Sequence, residues 1–183
     1  MNFEDVPEFI PIPEELWSFE TGEPFDRCFH CGETFITLAQ PYYIEKAFDG
    51  DEIVFEYALC TNCHSELFDS LSTESRENIE TYFAANLDVE TYIERQMPSA
   101  SPDYNRWVSH CMIKKYPRAE CNAFQLIAQC NEFGLNPQNP PFIVSSQVIE
   151  EIIDLLSTET LGILDDFTGK ILGIDLPKNT LIL

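Results

Sequence analysis

Two Cys-x-x-Cys pairs, Cys28-Phe29-His30-Cys31 and Cys60-Thr61-Asn62-Cys63, constrain this chain more than any other feature in it. Two intervening residues let the backbone wrap a short turn, so that both sulfurs face one point while backbone N–H groups turn towards them. Four thiolates brought together in this way complete a tetrahedron, the geometry and donor type that Zn²⁺ favours. Gly32 directly follows the first pair and permits the positive φ that such a turn often needs. Four protein sulfurs also close the coordination sphere. No position is left for water or substrate, so the expected site is one structural zinc on Cys28, Cys31, Cys60 and Cys63, with no catalytic residue.

The total of seven cysteines is odd. Complete disulfide pairing would strand one thiol, whereas metal ligation plus buried free thiols fits a reducing compartment. The start, Met1-Asn2-Phe3-Glu4-Asp5, has neither the basic head nor the apolar core of a signal peptide, and no apolar run approaches the length of a membrane span. The expectation is a cytoplasmic protein. Its formal net charge is −22. Such a surface repels phosphate backbones and anionic lipid, which argues against general nucleic-acid or membrane binding and suits a basic protein partner.

Around the cysteines, strand-like and helix-like patterns alternate. Thr34 to Ala39, Tyr42 to Phe48 and Ile53 to Leu59 read as strands, with a turn signal at Phe48-Asp49-Gly50-Asp51. Phe25, Phe35, Tyr42, Tyr43, Phe55 and Tyr57 read as the core of the resulting hairpin. Ser72-Thr73-Glu74 starts a helix with Ile79, Tyr82 and Phe83 at helical spacing, and Asp88 caps another expected to reach Gln96. Further on, Ala123 to Cys130 reads as a strand and Gly134 to Pro141 as a loop. Ser145 or Ser146 caps a helix through Val148, Ile152 and Leu155, and a last helix runs from Thr158 towards Ile171. The fold class predicted is α+β. It comprises a Pro-rich N-terminal arm over 1–24, a zinc-binding unit over 25–97, a small polar linker over 98–103 and a second α+β unit over 104–183.

The chain also resembles itself. Glu66-Leu67-Phe68-Asp69-Ser70-Leu71-Ser72-Thr73-Glu74-Ser75 matches Glu151-Ile152-Ile153-Asp154-Leu155-Leu156-Ser157-Thr158-Glu159-Thr160 at most positions. Each is an apolar helix end, a Leu-Ser turn and a new helix start. Looser echoes link Phe55–Cys60 with Ala123–Cys130, and His30-Cys31 with His110-Cys111. These matches predict a duplicated strand-plus-helix-pair unit whose second copy has lost its Cys-x-x-Cys pairs. Leu71 and Leu156 are then expected in equivalent buried places, each ahead of a capped helix.

A knuckle, a strand-rich insert and a second Cys-x-x-Cys that opens a helix resemble a treble-clef zinc finger over residues 25–84. That resemblance implies a metal site and says little about function, because the class serves many unrelated roles. Arg27-Cys28-Phe29-His30-Cys31-Gly32 and Leu59-Cys60-Thr61-Asn62-Cys63-His64 also look like the knuckles framing an HNH nuclease. That family needs a histidine base between the knuckles, and residues 32–59 contain no histidine. The same knuckles resemble rubredoxin, which implies iron-based electron transfer as the alternative. There the second knuckle departs from the pattern, with His64 where that family has glycine.

His30 and His64 read as knuckle residues beside a ligand set that is already complete. His110, Cys111, Cys121 and Cys130 match no ligand spacing and read as core residues rather than a second site. Adjacent acids such as Glu150-Glu151 and Asp165-Asp166 diverge on a helix and form no acid/base pair. The function these features predict is that of a non-enzymatic zinc-binding adaptor acting through protein contacts. The competing class is an enzyme whose site lies between the two halves.

Overall fold

The computed structural model describes residues 9–90 and 102–173. β-Branched and aromatic residues over Tyr42–Asp49 and Glu52–Cys60 favour strands β1 and β2, joined at Gly50, whose φ of 58° suits the tight turn. The hairpin is not isolated. β1 also pairs antiparallel with β3, Ala123–Asn131, so that Tyr42 faces Cys130 and Asp49 faces Ala123. The far side of β3 carries β4, Gly134–Leu135, at one end and β5, Phe142–Ser145, at the other. All four pairings are antiparallel, and one five-stranded sheet in the order β2-β1-β3-β4 spans both halves of the chain.

Six α-helices complete the described residues: α1 Phe35–Leu38, α2 Thr61–Ser70, α3 Thr73–Asn86, α4 Tyr104–Trp107, α5 Ser146–Ile153 and α6 Thr158–Leu172. An α+β architecture is therefore present. Two expected elements differ. Thr34–Ala39 is not a strand, because the Thr34 hydroxyl accepts the N–H of Thr37 at 3.4 Å and starts the short α1 instead. The expected loop from Gly134 begins as a strand, because Gly134 and Leu135 pair back on Asn131 and Cys130, and on its other edge Leu135 exchanges two backbone hydrogen bonds with Ile10, at 2.9 and 3.0 Å. A Cβ on Gly134 would lie 2.0 Å from the Ile10 carbonyl oxygen, so only glycine admits that approach. Of the helix expected over 88–96, residues 91–96 lie outside the described residues, as do linker residues 98–101 and arm residues 1–8. Of the aromatics assigned to the hairpin core, Phe35, Tyr42, Phe55 and Tyr57 are buried, while Phe25 and Tyr43 are half-buried.

Residues 9–24 lie against one sheet face. There Lys46, buried on β1, sends its ammonium to the carbonyls of Glu15 (3.0 Å) and Trp17 (2.5 Å) and to the Glu56 carboxylate at 3.0 Å. Glu56 also accepts the Ser18 hydroxyl at 3.0 Å and the Phe19 N–H at 2.7 Å. A buried ammonium is costly unless it is paired and hydrogen-bonded, and here the arm supplies those partners. Helices α2, α3, α5 and α6 cover the opposite face.

The two helix pairs meet at one junction. Ser72 caps α3 and Ser157 caps α6, and their hydroxyls touch at 2.9 Å. The Ser72 N–H donates to Thr160 Oγ1 at 3.0 Å, and reciprocally the Ser157 N–H donates to Ser75 Oγ at 2.9 Å. Leu71 and Leu156 precede these caps and share one small apolar cluster, Leu71 buried and Leu156 half-buried. Ser75→Ala or Thr160→Val would leave a backbone N–H of the other half without its acceptor. Each is expected to cost about 1–3 kcal/mol in urea unfolding with an unchanged m-value, and the double variant should depart from additivity because both act on one network.

Candidate metal centre

β2 ends on Cys60, and α2 starts on the next residue with Cys63 in its first turn. The other pair lies in a knuckle ahead of β1. The Cys28 N–H bonds Glu33 O at 2.9 Å, and the Gly32 N–H returns to Cys28 O at 2.9 Å with φ 75°. The Phe29 N–H then donates to Ala58 O at 2.8 Å, fixing the knuckle to β2. The four Sγ atoms consequently lie within 4.8 Å of one another, with Cys28, Cys60 and Cys63 buried and Cys31 exposed. Zinc–sulfur bonds of about 2.3 Å set tetrahedral S···S edges of roughly 3.8 Å, so this donor set fits a zinc-like ion with small adjustments.

The electrostatics agree. The Cys60 N–H points at Cys28 Sγ at 3.4 Å. Burial opposes ionisation of Cys28, but N–H groups of Cys31, Cys60 and His30 outweigh it and lower its pKa to about 7. Cys63 is pushed up, first by burial and then by the neighbouring thiols. Four thiols at one point resist ionising together unless a cation offsets their charge.

Neither neighbouring histidine joins the cluster. His30 is exposed, and His64 stacks on Tyr43 with ring centroids 4.3 Å apart, burial lowering its pKa. Among the described residues no second gathering of metal-ligand side chains forms, and His110, Cys111, Cys121 and Cys130 stay apart. Cys111 and Cys130 are buried, burial raising the Cys130 pKa to about 12, while Cys121 is half-buried. His110 bonds through Nδ1 to the Ser109 hydroxyl at 2.8 Å.

Cys111 nevertheless has a revealing backbone. Its N–H bonds Tyr116 O at 2.9 Å, the Lys115 N–H returns to Cys111 O at 3.0 Å, and Lys115 adopts φ 60°. The Met112 N–H donates to Ile143 O at 2.9 Å, and the Ser145 N–H points at Cys111 Sγ at 3.3 Å. Each of these repeats a feature of the first knuckle, so that Cys111 stands where Cys28 does. Lys114, Ser145 and Val148 occupy the places of Cys31, Cys60 and Cys63. A clasp of another kind links this knuckle to its helix, for Lys114 Nζ pairs with Glu151 of α5 at 2.6 and 2.7 Å, and the Tyr82 hydroxyl donates to Glu151 at 2.6 Å. The echo of His30-Cys31 in His110-Cys111 is thus out of register, and Ala123–Cys130 corresponds to β1, leaving β5 as the counterpart of β2. Side-chain similarity alone missed this register. Its signal lies in backbone hydrogen bonds and in Lys115, a bulky residue at positive φ.

Compared with family models, curated proteins and solved structures, the chain matches none. No helix among the described residues is long and apolar enough to cross a membrane.

If the second knuckle keeps the geometry of the first, a variant carrying Lys114→Cys, Ser145→Cys and Val148→Cys presents three new thiols beside Cys111, four in all. Elemental analysis should then find one more zinc per chain than in the unaltered protein. An unchanged zinc content in a folded variant would show that the two knuckles differ in geometry.

Proposed function

We propose that Cys28, Cys31, Cys60 and Cys63 bind one structural zinc ion, and that the chain is a cytoplasmic, non-catalytic binding module of treble-clef-like build. The observation that carries this reading is the convergence of four thiols on one point, which fills a tetrahedron with protein sulfur and leaves no open position. The knuckle, hairpin and helix around it support the treble-clef likeness. The repeated hydrogen bonds support descent of both halves from one unit, the first keeping its metal and the second an ion pair. A surface carrying −22 suits a partner with basic contact residues.

The enzyme reading would place a site between the halves. The apolar cavity there has the imidazole of His64 and the hydroxyls of Tyr43 and Tyr57, with no carboxylate, thiol or serine in its wall, while a second cleft between α2 and α6 is lined by His30, Cys63, Glu66, Asp166 and Lys170. The apolar cavity thus suits binding better than nucleophilic catalysis.

Protein expressed with its natural metal supply should be colourless and contain one zinc per chain. Iron would favour the electron-transfer alternative, and absence of metal would sink the proposal. Cys60→Ser should lose the ion. A structural zinc is worth on the order of 10 kcal/mol in small peptides, comparable to the stability of a whole domain, so thermal unfolding of this variant should shift to much lower temperature.

A further inference from the structure

Between the sheet and the helix pairs lies a cavity of about 350 Å³. Its wall draws on matching positions of both halves: Tyr57 and Phe142 on the outer strands, Leu71 and Leu156 ahead of the caps, Ile79 and Leu164 on α3 and α6. The first helices of the two halves meet this space with different side chains. α5 buries Val148 and Ile152 completely against its strands, whereas Cys63 is the one buried residue of α2. Where α5 has Ile149 and Ile152, α2 has His64 and Leu67, and both of these face the cavity. The cysteine cluster holds α2 by its first turn, so its apolar side need not close down on the sheet.

The lining is almost wholly hydrocarbon and aromatic. The Tyr57 hydroxyl is engaged by the Glu45 carboxylate, so Tyr57 turns only its ring to the space. Polar groups are confined to Tyr43, His64 and Asn139. They are held in place, since Gln129 Nε2 donates to the Tyr43 hydroxyl at 2.9 Å and Asn139 Nδ2 donates to Gln129 Oε1 at 2.6 Å. Water in such a cavity finds few partners, and an apolar ligand gains by displacing it. An engineered apolar cavity of about 150 Å³ takes up benzene, so this volume suits a two-ring molecule. The −22 surface disfavours anions, and the wall offers no carboxylate to a cation.

We propose that this cavity binds a neutral, largely apolar small molecule of two-ring size whose single polar group meets Tyr43, His64 and Asn139. The proposal rests on the reading of the chain as a binding module and names what it binds.

Dansylamide, a neutral two-ring aromatic with one sulfonamide that fluoresces in apolar surroundings, is the probe, and the corresponding naphthalenesulfonate is the control. The intact chain should bind the neutral probe saturably at one site. The sulfonate should bind about tenfold more weakly at low salt, the gap narrowing as salt screens the surface. Ile79→Trp and Leu156→Trp, which fill the wall from either half, should each weaken the neutral probe by about tenfold or more with zinc content unchanged. Methyl NMR of the unaltered chain gives a readout independent of variant folding, with shifts on probe addition confined to Leu71, Ile79, Leu156, Leu164 and their neighbours. Undiminished binding in the filled variants, shifts centred elsewhere, or no saturable binding by the zinc-loaded chain would overturn the proposal. Saturable binding by protein without zinc would instead leave the cavity standing and remove the metal reading.

Discussion

The gathering of four sulfurs at the end of β2 is the constraint on which the first half depends. It ties the knuckle, the hairpin edge and the first turn of α2 to one point. The consequences run outward from there. With α2 anchored at Cys63, its remaining turns carry His64, Leu67 and Phe68 over the sheet without sealing against it. The direction in which α3 leaves is then set by the Ser72 cap rather than by burial of α2.

The second half makes the same turn sequence by other means, and rough magnitudes show why it can. A partly exposed ion pair such as Lys114–Glu151 contributes at most about 1 kcal/mol, far less than a structural zinc. Complete burial of Val148 and Ile152, at about 1.5–3 kcal/mol for each aliphatic side chain, supplies much of the difference. Metal ligation and apolar burial are thus alternative ways to hold the first helix of such a unit. They differ in what they bury, since α5 hides both Val148 and Ile152 whereas Cys63 is the one buried residue of α2.

Much of this was legible in the sequence where the signal is local. The Cys-x-x-Cys spacing identified four thiols that do converge, the Asp49-Gly50 turn marked the hairpin, and Leu-Ser-Thr-Glu marked both helix starts, leaving serine or threonine open as the cap that the structure assigns to Ser72 and Ser157. Elements set by distant partners were not legible. Ile10 comes alongside Leu135 on the far edge of β4 from 125 residues away, and α1 replaces a strand through a single threonine cap that the residue pattern did not signal. Lys46 reads as a surface residue on an alternating strand until the carbonyls of Glu15 and Trp17 are seen to surround it. The match between Cys28 and Cys111 escaped for a related reason, since after three of four ligands change, what persists is a backbone hydrogen-bond pattern that side-chain identity does not record.

The cavity follows from the difference between the halves. Val148 and Ile152 of α5 are completely buried, whereas their counterparts Cys63 and Leu67 on α2 serve the cysteine cluster and the cavity wall. A wall from Phe142, Val144, Leu156 and Leu164 thus faces a wall from His64, Leu67 and Phe68. The hydroxyl network of Ser72, Ser75, Ser157 and Thr160 fixes the distance between the two helix pairs with hydrogen bonds that run in both directions. Neither half alone has both walls, so the space is a property of their pairing through β1 and β3.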